Sequence, residues 1–278
     1  MSLITTSLNS GSNGNCYYIG NDSEAVLIDA GLSCRETEKR MRHLGLSMLS
    51  VKAIFISHEH TDHIKGVQVL AEKYSLPVLI SSGTFKHSGI RLKKELVSHF
   101  VAHEPVMIGK LCITAFPKFH DASDPYSFII SCNNITVGVF TDIGTPCERL
   151  VSHFSKCHAA FLETNYDEGL LENGRYPYHL KNRIRGGNGH LSNTQALDIF
   201  IRYKPAFMTH LFLSHLSKDN NSPGLVQRLF DEHANGTHII VASRYEPTAI
   251  YKIQQPGKLV KRKANPIRSL RPEQLSLF

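Results

Sequence analysis

The residues with the clearest chemical potential lie in one short segment, "ISHEHTDH". It places His58, Glu59, His60, Asp62 and His63 directly after an apolar, β-branched run that predicts a buried strand. Imidazoles and carboxylates at the end of such a strand lose hydration, which costs free energy unless a partner compensates their charge. A divalent metal ion provides that compensation, so the segment predicts a metal site. The alternative is a solvated polar loop.

The spacing in this segment favours two ions. His58 and His60 alternate and can chelate one ion, whereas Asp62 and His63 lie one turn further on and can serve a second. A carboxylate can also bridge two cations. Three further candidate ligands stand where other predicted strands end, namely His120, Asp142 and His215.

Strands and helices interleave along the chain and must position these residues. Runs such as "CYYIG" and "ITVGVFTD" predict strands, and "SCRETEKRMRHLG" and "SNTQALDIFIRYK" predict helices. Strands follow one another without helices around residues 1–29 and 97–141, which argues against a purely parallel sheet. We expect an α/β (α+β) fold with a mixed sheet, or two packed sheets with helices outside. A Gly/Arg-rich segment, residues 173–190, predicts a loop.

The composition indicates a globular protein and limits the kinds of partner it can have. The 278 residues are 41% hydrophobic and 20% charged, as in an ordinary globular protein. The chain has no apolar run long enough for a membrane span and no secretory signal, so we expect a cytoplasmic protein without membrane contact. The net charge of +7 favours a polyanionic partner, and the 16 histidines favour metal.

The order of the candidate residues resembles the metallo-β-lactamase fold, up to about residue 255. Asp29 in "LIDAG" precedes "HEHTDH", and the later candidates follow in the family's order. The blocks "SGSNGNCYYI", "FLETNYD", "GHLSNTQA" and "LSHLSKDNN" are similar to those of the YycJ/WalJ group, bacterial relatives of the ribonuclease Z enzymes. The resemblance implies an αββα sandwich of two mixed β-sheets, with residues 1–255 as the catalytic domain.

The resemblance also implies a role for each candidate ligand. Two zinc or manganese ions would each have three ligands, with Asp142 between the ions. The two sets are His58, His60 and His120, and Asp62, His63 and His215. Asp62 would also take part in catalysis, and Asp29 would brace the histidine segment from behind the ligands. Tyr126 stands where the family pattern leads us to expect a glycine, which affects only the local loop.

Paired divalent ions suit hydrolysis of a phosphodiester, although the same pair can open a lactam, lactone or thioester. An alkoxide that leaves from DNA needs a proton. Glu163 and His190 resemble the proton-donating pair of ribonuclease Z relatives, with His190 as donor and Glu163 as its orienter. The alternative is a surface acid and a residue at a helix N-terminus.

Two segments are candidates for nucleic acid contacts. Ser12 and Asn13 lie in "SGSNGN", which predicts an anion-binding turn or a plain hairpin. The aromatic-rich segment "RYPYHLKNRIRGG" suits a frayed strand end, with charges on phosphates and rings under bases, or forms a solvated loop. Its basic candidates are Arg175, Lys181, Arg183 and Arg185.

Residues 256–278 predict a flexible basic tail, with three prolines, six Lys/Arg and one acid. Its "QLSLF" segment resembles the motif by which bacterial replication and repair proteins bind the sliding clamp. Such a segment places apolar anchors into a preformed groove. The candidate contacts are Gln274, Leu275, Leu277 and Phe278.

The leading hypothesis is a 5′-end-directed double-stranded DNA exonuclease that acts in DNA repair with the sliding clamp. The alternatives are a ribonuclease on structured RNA, a lactone or thioester hydrolase of the same fold, and a nucleic acid scaffold with structural metals. The complete ligand set argues against a scaffold, and the net charge and the Glu163–His190 pair argue against a small-molecule hydrolase. DNA or RNA preference, the metal, cleavage polarity and oligomeric state stay open.

Overall fold

The computed structural model describes residues 2–255, whose strands form two seven-stranded sheets. In spatial order, the first sheet comprises β14 (Tyr251–Ile253), β1 (Leu3–Asn9), β2 (Cys16–Gly20), β3 (Ala25–Ile28), β4 (Val51–Phe55), β5 (Val78–Leu79) and β6 (Val97–Ser98). From β14 to β3 the neighbours pair antiparallel, and from β3 to β6 they pair parallel. The sheet is therefore mixed, as the helix-free strand succession predicts.

The second sheet has the same mixed character. In spatial order it comprises β13 (His238–Val241), β12 (His210–Ser214), β11 (Ala159–Glu163), β10 (Ile135–Phe140), β9 (Tyr126–Cys132), β8 (Leu111–Pro117) and β7 (Pro105–Ile108). Strands β7 to β10 pair antiparallel, and β10 to β13 pair parallel. Parallel strands carry their carboxyl ends to one edge of a sheet, where polar loops collect.

Apolar side chains of the two sheets meet in a central core. Tyr17 of β2 packs against Phe161 of β11 with ring centroids 4.8 Å apart, and Phe55 of β4 meets Phe128 of β9 edge-on at 5.8 Å. All four rings are fully or almost fully buried. These contacts join the sheet of β1 to β6 and β14 to the sheet of β7 to β13.

Helices cover the outer faces of both sheets. They are α1 (Cys34–His43), α2 (Thr61–Ile64), α3 (Val67–Tyr74), α4 (Ser82–Ser88), α5 (Glu148–Phe154), α6 (Glu168–Asn173), α7 (Tyr178–Arg185), α8 (Asn193–Tyr203) and α9 (Pro223–Asp231). Met41 of α1 and Leu70 of α3 pack on the first sheet. Phe154, Phe200 and Phe230 of α5, α8 and α9 pack on the second. The αββα sandwich is confirmed. Within residues 2–255, no helix is both long and apolar enough to cross a membrane.

One prediction about the elements is wrong. The segment 173–190, predicted to be a loop, contains the helix α7. Pro177 stands at its N-cap with extended backbone, which suits a residue whose missing N–H would have no partner. Leu180 and Ile184, four positions apart, lie on one face and pack in a cluster with Leu171 of α6 and Tyr166. The many charges of this segment obscure that short apolar stripe in the sequence.

Candidate active site

The seven predicted ligands meet at one edge of the sandwich. Four follow β4 of the first sheet, in the turn after this strand and in α2, and three follow β8, β10 and β12 of the second. The first group is His58, His60, Asp62 and His63, and the second is His120, Asp142 and His215. Because each group belongs to a different sheet, the site exists only when the two sheets are packed together.

Two subsets of these side chains converge on separate points. In the first, His60 Nδ1 lies 3.1 Å from His58 Nε2 and 3.3 Å from His120 Nε2. In the second, Asp62 Oδ2 lies 3.6 Å from His63 Nε2 and 3.7 Å from His215 Nε2. Within each subset the candidate ligand atoms lie within 4.8 Å of one another. These are the two sets implied by the family resemblance.

Asp142 lies between the two subsets. Its Oδ2 is 3.3 Å from His63 Nε2, while its Oδ1 is 3.9 Å from His120 Nε2 and 3.3 Å from His215 Nδ1. The carboxylate therefore faces a ligand nitrogen of each subset, His120 Nε2 and His63 Nε2, which is the geometry of a bridging ligand.

The donor set fits divalent ions. His215 Nε2 and Asp142 Oδ2 are buried without a hydrogen bond among the described residues, which would be costly in a site that holds no cation. Ring nitrogens of His58, His60 and His120 also face each other at hydrogen-bond distance, although a neutral imidazole has only one N–H to share. Imidazole and carboxylate ligands suit zinc and also accept manganese.

The pKa values in the cluster also indicate that its carboxylates favour a cationic partner. Burial would lower the pKa of His215, but the carboxylates of Asp142, Asp62 and Glu163 raise it to about 10. Burial would raise the pKa of Asp62, but His63 and His215 lower it to about 2. His58, which is buried beside other cationic groups, has its pKa held well below the usual value, mainly by burial. The carboxylates therefore stay ionised and draw cationic partners to the site.

Asp29 braces the histidine segment, as predicted from the resemblance. Its Oδ2 accepts hydrogen bonds from His63 Nδ1 at 2.7 Å and from the Ser57 hydroxyl at 2.8 Å, and its Oδ1 accepts from the Ser57 backbone N–H at 2.8 Å. The bond to Nδ1 leaves the other nitrogen of His63 free to face the cluster. All three residues are buried.

The backbone at the site is strained in a way that the sequence did not reveal. Asp29, Asp142 and His215 have φ values of 61°, 55° and 57°, in the left-handed region. Each lies just beyond a strand end, where this conformation turns the chain. A non-glycine residue there costs on the order of 1 kcal/mol, which the packed sheets must offset.

Glu163 and His190 form the predicted pair. Glu163 is the last residue of β11 and is fully buried, and its Oε1 accepts from His190 Nδ1 and His215 Nδ1, each at 2.8 Å. Its Oε2 accepts from the backbone N–H groups of Ile143 at 2.6 Å and Leu191 at 3.2 Å. The His190 side chain remains 20% exposed and lines the opening of the site. Glu163 thus links a solvent-facing imidazole to the ligand cluster.

Sequence reasoning missed two polar residues at the site. The Asn15 amide donates to Asp62 Oδ2 at 3.2 Å and lies 3.1 Å from His63 Nε2. Lys118 is buried and donates to the Thr141 carbonyl at 2.7 Å, beside Asp142, and burial lowers its pKa. Asn15 lies in the "SGSNGN" turn, so its position was a weak signal. Lys118 had none, since it is a single lysine directly after β8, between Pro117 and Phe119.

The opening of the site has a volume of about 350 Å³. Its lining includes Ser12, Asp62, Asp142, Arg183, His190 and His215. Arg183 Nε contacts Asp121 Oδ2 at 2.6 Å, so this side chain of α7 is held at the rim. Ser12 is exposed at the same rim.

The other predicted nucleic acid contacts lie elsewhere. Arg185 pairs with Glu172 at 3.0 Å, and Lys181 donates to the Glu172 carbonyl. Arg175 is exposed, and the Asn13 amide donates to the Arg244 carbonyl at 2.8 Å. These residues stay predicted contacts. The predicted clamp-binding residues 274, 275, 277 and 278, like the rest of the tail, lie outside the described residues.

Comparison with known proteins agrees with this geometry. Residues 10–146 match the model of the metallo-beta-lactamase superfamily. The chain is 34% identical over 230 residues to exodeoxyribonuclease YycJ of Bacillus anthracis, covering 82% of this chain and 87% of that protein. It is 31% identical to exodeoxyribonuclease WalJ of Streptococcus pneumoniae, covering 77% and 81%.

A solved structure supports the fold. The metallo-beta-lactamase fold protein YhfI from Bacillus subtilis superposes with a TM-score of 0.69 at 15% identity, covering 91% of this chain and all of that one. At that identity the likeness concerns the fold, whereas the curated relatives fix the family. The chain belongs to the YycJ/WalJ group of the metallo-β-lactamase superfamily and is a metal-dependent hydrolase.

Proposed function

We propose that this protein is an exonuclease that degrades double-stranded DNA from the 5′ end, with two divalent ions, zinc or manganese. The observation that carries the proposal is the Glu163–His190 pair beside the ligand cluster, because a leaving alkoxide needs a proton donor. The two curated relatives are named exodeoxyribonucleases, which supports DNA as the substrate.

The ligand cluster would bind the ions, and Asp62 would also orient the attacking water. The two three-residue subsets would each hold an ion, with Asp142 between them. When bound, such ions lower the pKa of water and neutralise charge that develops on a phosphodiester. Asp62, at the rim of the opening and hydrogen-bonded by Asn15, orients the attacking water from the side of the second subset.

His190 serves as the general acid. Its Nδ1 donates to buried Glu163, so its other nitrogen, Nε2, points away from that carboxylate. A proton on Nε2 is therefore the one available to a leaving oxygen in the opening. Glu163 is a positioning residue, since it is fully buried and touches no substrate.

The substrate strand enters at the rim formed by Ser12 and Arg183. The net charge of +7 favours a polyanion, and Arg183, whose Nε is paired with Asp121, is 60% exposed beside the opening and can contact a phosphate there. We place the enzyme in the cytoplasm, acting in DNA repair.

The test of this function is a time course with a DNA duplex labelled at either end, beside a matched RNA duplex, with Mn²⁺ or Zn²⁺. Release of mononucleotides from the 5′ end of DNA is the expected result. His60→Ala, which removes the nitrogen shared by the first subset, should abolish it. Cleavage of RNA alone would favour a ribonuclease, and no cleavage of either duplex would favour a small-molecule hydrolase.

The tail is proposed to tether the enzyme to the sliding clamp through Gln274, Leu275, Leu277 and Phe278. The proposal rests on the sequence of this segment, whose apolar residues suit a hydrophobic groove and whose basic neighbours suit DNA.

Deletion of residues 274–278 should leave the cleavage of naked DNA within about twofold, because the described active site lies in residues 2–255. The same deletion should abolish any stimulation when the clamp is loaded on the DNA. Equal stimulation of the full chain and the deletion, measured by the initial rate with and without clamp, would contradict the tether.

A further inference from the structure

A second cleft lies beside the active-site opening. It has a volume of about 310 Å³ and forms between the loop after β12 and the loop after β13. Its polar lining consists of Ser217, Lys218, Asn221, Ser243, Arg244 and Glu246. Neither the ligand cluster nor the Glu163–His190 pair lines this cleft.

Arg244 contributes to the cleft a guanidinium nitrogen that has no partner among the described residues. Its Nη1 is buried and makes no hydrogen bond within residues 2–255. A buried guanidinium nitrogen in this state is unfavourable, because it has lost its hydration without gaining a hydrogen bond in return. An anion that enters the cleft and draws the guanidinium outward would remove this cost.

The chain holds Arg244 in place from both sides. The Ser10 N–H donates to the Ser243 carbonyl at 3.1 Å, and the Asn13 amide donates to the Arg244 carbonyl at 2.8 Å. On the other side, buried Arg40 of α1 donates to the Tyr245 carbonyl at 2.8 Å. The loop is therefore a preorganised element of the fold, which lowers the entropy cost of binding a ligand.

The same turn separates the cleft from the active site. The Ser10 hydroxyl accepts from the backbone N–H of His215 at 2.7 Å, and Ser12 lines the active-site opening. Between them, a Cβ at Gly11 would lie 3.2 Å from Arg244 Cβ and 3.6 Å from the Leu216 carbonyl. Cleft and opening therefore lie on either side of one turn, residues 10–12.

The residues that line this cleft and the depression beside it suit a phosphate group and the nucleic acid strand attached to it. Lys218 and Arg244 outnumber the single carboxylate of Glu246, and Tyr245 presents a ring that is 71% exposed. A further depression shares Tyr245 and Glu246 with the cleft. Its lining from α1 has four basic residues and one acid, namely Lys39, Arg40, Arg42, His43 and Glu36. Basic residues beside an exposed ring suit a nucleic acid strand.

We propose that this cleft is a second phosphate-binding site, in which Arg244 and Lys218 hold a phosphate of the substrate strand next to the one in the active-site opening. The proposal rests on the proposed nuclease function. Two phosphate groups share this chemistry: the terminal phosphate of a 5′ end and an internal diester.

The experiment compares three substrates: a 5′-phosphorylated DNA duplex, the same duplex with 5′-hydroxyl ends, and bis(p-nitrophenyl) phosphate, which has no neighbouring phosphate. The selectivity ratio is kcat/KM on DNA divided by kcat/KM on the small diester. Arg244→Gln should lower this ratio about tenfold, since a hydrogen bond to a charged partner is lost. Arg244→Lys, which keeps the charge, should lower it less.

The matched control is Arg202→Gln, on the exposed face of α8, where Arg202 pairs with Asp198 at 2.6 Å. This control should leave the ratio unchanged. A loss confined to 5′-phosphorylated DNA assigns the site to the terminal phosphate, and a loss on both duplexes assigns it to an internal one. An unchanged ratio in Arg244→Gln, or equal losses on DNA and the small diester, would overturn the proposal.

Failure of the nuclease function gives a different result. In that case the wild type hydrolyses the small diester but neither duplex. Titration calorimetry with inorganic phosphate then tests the cleft, and Arg244→Gln should weaken binding about tenfold. Equal affinity of wild type and variant would reject the phosphate site as well.

Discussion

At the scale of single residues, the active site depends on carboxylates that orient imidazoles. Asp29 fixes His63 through Nδ1, and Glu163 fixes both His190 and His215 through one oxygen. In each case the carboxylate is fully buried and the imidazole keeps its second nitrogen for another partner. The place of the ring decides the role of each histidine. The second nitrogen of His63 lies in the ligand cluster and suits an ion, whereas the His190 ring lines the opening and suits proton donation.

The substitution His190→Ala tests whether His190 donates a proton or only supports the structure. On duplex DNA, kcat should fall at least about 10²-fold, because the leaving alkoxide needs a proton. On bis(p-nitrophenyl) phosphate, whose nitrophenolate leaves without a proton, the loss should stay below about tenfold. The measurement is kcat on both substrates with the same metal. His87→Ala, at an exposed position of α4, is the control. Equal losses on the two substrates would reject the general-acid role.

At the scale of elements, the sequence predicted the metal ligands at strand ends better than it predicted helix α7 and the backbone conformation around the site. Ligands at strand ends were recognisable because a buried apolar run followed by His or Asp is a local pattern, as at His120 and Asp142. Helix α7 was missed, since its apolar stripe is short, and the φ values of 55–61° at Asp29, Asp142 and His215 have no local signal. The Arg244 loop is held by the Asn13 turn from the opposite end of the described chain, and local patterns cannot pair such distant segments.

Close packing between elements explains one glycine at the site. A Cβ at Gly31 would lie 1.6 Å from the Asp62 carbonyl oxygen and 2.7 Å from the Asn15 backbone nitrogen. The Asn15 N–H itself donates to that carbonyl at 2.7 Å. The loop after β3, the turn after β1 and the start of α2 are therefore stacked without room for a side chain.

Gly31→Ala should displace Asp62 and the start of α2, because backbone atoms rather than a flexible side chain stand in the way. We expect a loss of roughly 1–3 kcal/mol in the free energy of unfolding, together with weaker zinc binding. Urea unfolding and competition with a chromogenic chelator measure the two effects. In the control, Gly169→Ala in α6, the nearest atom is Asp167 Oδ1 at 3.3 Å, and stability should be unchanged or slightly higher. Full stability and zinc affinity in Gly31→Ala would contradict the packing argument.

At the scale of the whole molecule, the ligand cluster connects the two sheets. Four candidate ligands follow β4 of the first sheet, and three follow strands of the second. An ion with ligands from both sheets binds the folded protein and not the unfolded chain, so it stabilises the fold by about 2.7 kcal/mol at a hundredfold excess over its Kd. Removal of metal by EDTA should therefore lower Tm by several degrees, and His60→Ala should reduce the effect of EDTA.

This effect of EDTA should depend on pH with a definite sign. In metal-free protein the pKa of His215 is raised from 6.5 to about 10, so its contribution to stability is complete below 6.5 and is lost as the pH rises towards 10. Ion binding has the opposite dependence, because the imidazole ligands must be neutral. The fall in Tm caused by EDTA should thus be larger at pH 9 than at pH 6, as scanning calorimetry would show. An equal or larger fall at pH 6 would mean that the histidines of both sheets do not share one ion-binding cluster.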